Sequence, residues 1–171
     1  MTTTVLPDAI MLTALPVIVG SECVTGVMAA MTHGSCLCGA VCYELEGVPS
    51  TAEGSLLHCH CARCRKHHGA PFASFLQVQR QQLRWLSGEE QLLSDPASRA
   101  QQRRSCAVCG SVAPAPHGAE RVLVPTGNLQ GELGISGGEH LFVGSKAVWH
   151  GIADQLPQHQ AAPDRQHLLL A

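Results

Sequence analysis

The sequence predicts an all-β single domain of short strands, held together by cysteine-rich turns. Three observations lead there. Gly, Pro and Ser interrupt the 171-residue chain so often that no long 3.6-residue apolar pattern develops. The apolar stretches between these breaks are short and rich in β-formers. Seven of the nine cysteines fall into three tight groups, a distribution that suits metal-binding turns better than a spread disulfide framework.

The elements can be taken in order. AVCYEL (40–45) alternates and reads as a strand. ARCRKHHG (62–69) has the composition of one helical turn, with Gly69 in place to end it. PFASFLQV (71–78) and QLRWL (82–86) are further strands, the second closed by Ser87 and Gly88. RVLV (121–124) and HLFVG (140–144) complete the set. The motif-bearing body is expected to span 31–159, followed by a polar tail at 160–171.

Residues 1–30 differ in kind. They contain no Lys or Arg, and their apolar run AIMLTALPVIVG (9–20) is broken by Pro16 and too short to span a bilayer. A secretory leader normally carries a positive start, although VMAA (27–30) has the look of a cleavage site. The simplest expectation is an extension upstream of a translation start at Met28 or Met31.

Charged residues make up 14% and hydrophobic ones 45%, which favours a folded domain over disorder. Aromatics are only 4%, so the core must rely on Val, Leu and Ala, and cross-links or metals would support it. A formal net charge of −2 gives no global reason to bind DNA or RNA. Basic residues do cluster locally: Arg63, Arg65 and Lys66 follow one cysteine group, and Arg99, Arg103 and Arg104 precede another. Each cluster reads equally as an anion-attracting patch or as a solvated face balancing thiolate charge.

The three cysteine groups carry the chemistry. They are GSCLCGAV with Cys36 and Cys38, HCHCARC with Cys59, Cys61 and Cys64, and SCAVCGS with Cys106 and Cys109. Paired cysteines in tight turns converge their sulfurs on a tetrahedral ion such as zinc. Gly39 and Gly110 stand just after the last cysteine of the first and third groups, where a tight turn needs glycine. Cys36, Cys38, Cys106 and Cys109 therefore make a complete set of four thiolates. Cys59, Cys61 and Cys64 remain as a set of three. That set either keeps an open position for chemistry or is closed by His58, His60 or Cys42. Thiolate ligands need a reducing compartment, which points to the cytoplasm. No Ser sits in a G-x-S-x-G setting, and no glycine-rich phosphate loop is present.

HGSCLCGAVCYELEG, HCHCARCRKHHGAPFASF, CAVCGS and HLFVGSKAVWHGIADQLPQH, in that order, resemble the glutathione-dependent formaldehyde-activating enzyme family, whose domain centromere protein V shares. The resemblance runs over 32–159. It implies several small coiled antiparallel sheets with two zinc ions per chain. One zinc would be structural, on Cys36, Cys38, Cys106 and Cys109. The other would be catalytic and open, on Cys59, Cys61 and Cys64, with His60 beside the metal rather than on it. It implies a carbon–sulfur lyase-type activity that joins glutathione and formaldehyde; the near-neutral charge and the short apolar run separately argue against a nucleic acid or membrane partner. Arg63, Arg65 and Lys66 are candidates to attract the thiol substrate's carboxylates, and Phe72 and Trp149 to wall its pocket. The alternative is a zinc-stabilised interaction module without catalysis. Two departures from the family's pattern stand out: Ser105 replaces an aromatic residue, and His67-His68 replaces small polar residues next to the expected pocket.

Overall fold

A computed structural model describes residues 31–47, 56–95, 103–131, 133, 135 and 137–162. The N-terminal extension with Cys23, Arg99 and the tail from 163 lie outside the described residues. Eleven strands and one α-helix follow one another: β1 (Met31–Ser35), β2 (Cys42–Glu46), β3 (Leu56–Cys59), α1 (Ala62–His68), β4 (Ala73–Gln79), β5 (Leu83–Ser87), β6 (Leu92–Ser94), β7 (Arg104–Cys106), β8 (Val112–Ala113), β9 (Ala115–His117), β10 (Arg121–Pro125) and β11 (Glu139–Leu141). The all-β expectation holds. No helix among the described residues is long and apolar enough to cross a membrane.

The strands form three small sheets, ordered β1-β2-β5, β11-β3-β4-β10-β9 and β6-β7-β8. All pairings are antiparallel except β11 with β3, which run parallel. The main core lies where the first sheet packs on the second. Tyr43 and Leu45 of β2 meet Leu76 and Val78 of β4 and Val122 and Val124 of β10. These positions alternate along each strand, so period-2 patterning puts them on one face. The predicted shortage of aromatics is visible here: Tyr43 is the one fully buried aromatic ring among six aliphatic and aromatic core members. Gly34 pairs with Tyr43 across β1 and β2 and lies under its ring.

Two predicted elements differ in extent. The helix runs for seven residues instead of one turn, and Gly69 caps it in the left-handed conformation as expected (φ 61°). The strand expected at 140–144 stops at Leu141. Phe142 takes a positive φ of 57° and turns the chain into a short 3-10 segment, Val143–Ser145. Beyond it the chain returns to β11. His140 N–H donates to Pro157 O, and His159 N–H donates to His140 O, both at 2.8 Å. Segment 157–161 is thereby tied along the edge of the five-stranded sheet.

Candidate metal centres

The first and third cysteine groups form matching turns. Gly39 N–H donates to Cys36 O, and Gly110 N–H donates to Cys106 O. Each turn closes with a second bond, Cys36 N–H to Val41 O and Cys106 N–H to Ser111 O. Both glycines adopt φ 74°, which a Cβ would penalise. The two turns face each other, with Leu37 N–H donating to Ser111 Oγ at 3.1 Å. The sulfurs of Cys36, Cys38, Cys106 and Cys109 lie within 4.8 Å of one another.

These distances test the fit of a metal. A tetrahedral zinc with bonds of about 2.3 Å separates its sulfurs by roughly 3.8 Å. Cys36 and Cys38 sulfurs are 3.5 Å apart, and those of Cys38 and Cys106 3.9 Å. Val41 N–H also points at Cys36 Sγ at 3.3 Å. No disulfide joins any of the eight described cysteines. The set therefore suits a zinc-like ion.

The middle group is built differently. β3 delivers Cys59, His60 follows, and Cys61 stands immediately before α1. Cys61 is the helix N-cap and accepts from Cys64 N–H at 3.4 Å. Cys64 lies one turn into the helix and is buried. The three sulfurs converge within 4.8 Å. Without a cation, three such close thiols cannot all ionise. Hydrogen bonds from Cys59, then Cys64, draw the Cys61 thiol down to about 2, while the thiol of Cys59 is pushed up by its bonds to Cys61 and Cys64. A cation at the centre would resolve that conflict, so this set fits a metal too. Neither His58, His60 nor Cys42 joins the group of converging donors. Cys42 instead donates to Gly39 O at 3.3 Å.

Strand alternation explains where the histidines go. Cys59 faces Cys64, Ala73, Phe75 and Phe142. His58 and His60 pack with Phe72 and His140, and His60 also lies near His150. His60 is fully buried, and its Nε2 lies 2.8 Å from His140 Nδ1. His140 Nε2 in turn reaches both Asp154 oxygens at 3.1 Å. A carboxylate only accepts, so Nε2–H of His140 donates to Asp154. Burial, with His140 and His150 nearby, lowers the His60 pKa to about 4, so the ring is neutral. His140 and Asp154 carried no motif and escaped sequence reading.

The expected substrate contacts are dispersed. Arg63 and Lys66 are on the exposed side of α1. Arg65 is engaged with backbone, its guanidinium donating to His60 O and Ser145 O at 3.3 Å each. Phe72 belongs to the histidine cluster, and Trp149 is 70% exposed, edge-on to His150. None of these five residues lines the pocket next to Cys64. Its wall comprises Cys64, His67 and His68 of α1, Phe75 of β4, Arg103 and Arg104 of the β7 segment, and residues from β8 to β10. Its enclosed volume is about 30 Å³, within a recess that opens to solvent. Arg103 lines the pocket with Cys64 and counters part of the upward push that Cys61 and burial give that thiol. The sequence flagged Arg103 and Arg104 only as local charge, because their nearness to Cys64 comes from chain folding.

Small β-sheets carrying two convergent thiol sets, one of four and one of three, define a metal-suited β domain. A model of the glutathione-dependent formaldehyde-activating enzyme family matches residues 31–145, and the chain belongs to that family. The matched region includes all seven clustered cysteines and ends at Ser145, before most of the SKAVW segment. Among solved structures, the chain is similar to a Rhodobacter sphaeroides protein from a structural genomics programme. The identity is 27%, with 58% of this chain and 89% of that chain covered, at a TM-score of 0.48. No curated protein matches the chain.

Proposed function

We propose that this protein is a zinc-dependent enzyme of carbon–sulfur chemistry that joins glutathione and formaldehyde to S-hydroxymethylglutathione, or acts on a closely related thiol adduct. The observation that carries the reading is the convergence of Cys59, Cys61 and Cys64 with no fourth His, Cys, Asp or Glu donor in the group among the described residues. Cys36, Cys38, Cys106 and Cys109 hold a second, structural zinc.

A zinc ion held by three thiolates retains a position for one more sulfur and lowers the pKa of a thiol that occupies it. The overall reaction adds the thiol sulfur to the aldehyde carbon. One C–S bond forms, the carbonyl π bond is lost, and the proton given up by the thiol ends on the former carbonyl oxygen. The chain's own residues prepare this. The Cys64 N–H at the helix start stabilises negative charge on Cys61. Arg103 offsets negative charge at Cys64. Arg65 fixes the turn between β3 and α1 through the carbonyls of His60 and Ser145. His60, locked by His140 and Asp154, holds the backbone between the two ligands in register and contributes no ligand itself. Arg63 and Lys66 add positive potential at the outer rim, which speeds the approach of an anionic thiol. The exposed Trp149 and half-buried Phe72 border the histidine side. A reducing compartment, the cytosol, preserves thiols in this arrangement.

Metal analysis combined with calorimetric titration of glutathione tests the reading. The wild-type protein should contain two zinc ions and bind glutathione saturably. Cys61→Ser should retain the fold and one zinc while losing glutathione binding. A folded two-zinc protein that binds no thiol would mark an interaction module instead. Loss of all folded protein in Cys61→Ser would make the middle site structural.

A further inference from the structure

The pocket beside Cys64 contains groups that the proposed chemistry does not use. Along α1, Cys64, His67 and His68 are spaced i, i+3 and i+4, so they share one face of the helix. All three line the pocket, together with Arg104 from the opposite wall. Nε2 of His67, Nε2 of His68 and Nε of Arg104 are each buried with no hydrogen-bond partner. Arg104 also has no carboxylate partner among the described residues. Buried donors are almost always satisfied in folded proteins, so three orphans around one recess mark a place where something else supplies the acceptor. The rest of the wall is apolar, including Phe75, Val112 and Leu123. Burial, then His67 and Arg103, hold His68 down at about 4, so its ring is a neutral donor or acceptor at physiological pH.

The geometry points to a carboxylate subsite: Arg104, with His67 and His68, takes an anionic terminus of the thiol substrate whose sulfur lies at Cys59, Cys61 and Cys64. This rests on the reading of the three-thiol set as a thiol-binding centre. A guanidinium on the wall of a largely apolar recess, with its Nε unpartnered, is a strong partner for a carboxylate. Cys64 and Arg104 line the same recess, so the subsite and the three-thiol set are neighbours. Arg104 is then a specificity residue. It selects thiols that carry a carboxylate over those that do not.

The test uses the zinc-loaded full chain and three probes: glutathione, S-methylglutathione, which keeps both carboxylates but has no thiol, and 2-mercaptoethanol, which has a thiol but no carboxylate. Arg104→Gln should weaken glutathione and S-methylglutathione binding by about tenfold or more, roughly the loss of one charge-assisted pair, and leave 2-mercaptoethanol unchanged. Glutathione and S-methylglutathione affinities within twofold of wild type would overturn the subsite while leaving the thiol centre standing. Equal weakening of all three probes would overturn it as well, placing Arg104 in the fold or the metal site. Conversely, S-methylglutathione binding that depends on Arg104, with no 2-mercaptoethanol binding, would keep the subsite and sink the thiol centre. Should Arg104→Gln fail to fold, arginine-labelled wild-type protein supplies the answer. The Arg104 Nε–H resonance should shift on adding S-methylglutathione, and an unmoved resonance would refute the assignment.

Discussion

A Cβ added to Gly34 would sit 2.4 Å from the ring of Tyr43, a distance that no real contact tolerates. Tyr43 is 1% exposed and joins the first sheet to the second, so its ring cannot swing away without opening the core. Gly34→Ala should therefore destabilise the fold by about 1–3 kcal/mol, the usual cost of overpacking. A lowered thermal midpoint with unchanged zinc content would confirm it, and an unchanged midpoint would show that β1 yields freely. Gly39 and Gly110 work by another means. Both take a positive φ of 74°, and for Gly110 no atom lies near where a Cβ would sit.

At the scale of the element, α1 matters most although it is only seven residues long. Too short to be stable alone, it is held by Cys61 at its start, Gly69 at its end and the packing of Cys64. One face carries Cys64, His67 and His68, and the other carries Arg63 and Lys66 into solvent. His68 gives this helix a pH signature. Its folded pKa of about 4 lies below the 6.5 of an unfolded histidine. As pH falls below 6.5 the unfolded chain takes up a proton that the folded chain refuses, so stability declines between pH 6.5 and 4. His68→Phe lacks this contribution. Denaturant melts at several pH values should show wild type losing stability faster than His68→Phe over that window. Parallel curves for the two proteins would rule the linkage out.

For the whole molecule, the four-thiol set would act as a staple once a metal is bound. It joins the turn after β1 to the turn after β7, with Cys38 and Cys106 separated by 68 positions. By chain entropy a cross-link closing so long a loop contributes about 4 kcal/mol. That is a large share of what a small domain with few aromatics can draw from its core. The three-thiol set spans only six positions within β3 and α1 and closes no such loop. Cys106→Ser should accordingly lower the unfolding midpoint by on the order of 10 °C, and Cys61→Ser by clearly less. Differential scanning calorimetry on both variants decides it. A larger loss for Cys61→Ser would reverse the assignment of structural and catalytic roles.

Much of this was legible along the chain. Cysteine spacing divides four from three, and the two glycines that follow the paired turns mark their tightness. Short alternating runs announce β2, β4, β5 and β10, since period-2 burial is written directly into adjacent residues. β3, β6, β7, β8 and β9 were not announced, being two to four residues long and defined by the partners they meet. The parallel pairing of β11 with β3 was equally hidden, and it is what brings His140 to His60 across 80 positions. The same limit applies to the site. Residue type and local spacing marked which thiols could hold a metal, because within each cysteine group the ligands lie within a few residues of one another, and the first and third groups, 68 positions apart, pair as matching halves. Only the tertiary structure decided that His58 and His60 stay out of the converging thiol group, and that Arg103 and Arg104 line a pocket with Cys64. The physical reason is that strand alternation and long-range sheet pairing assign each side chain to a face, and no local pattern encodes which distant segment covers it.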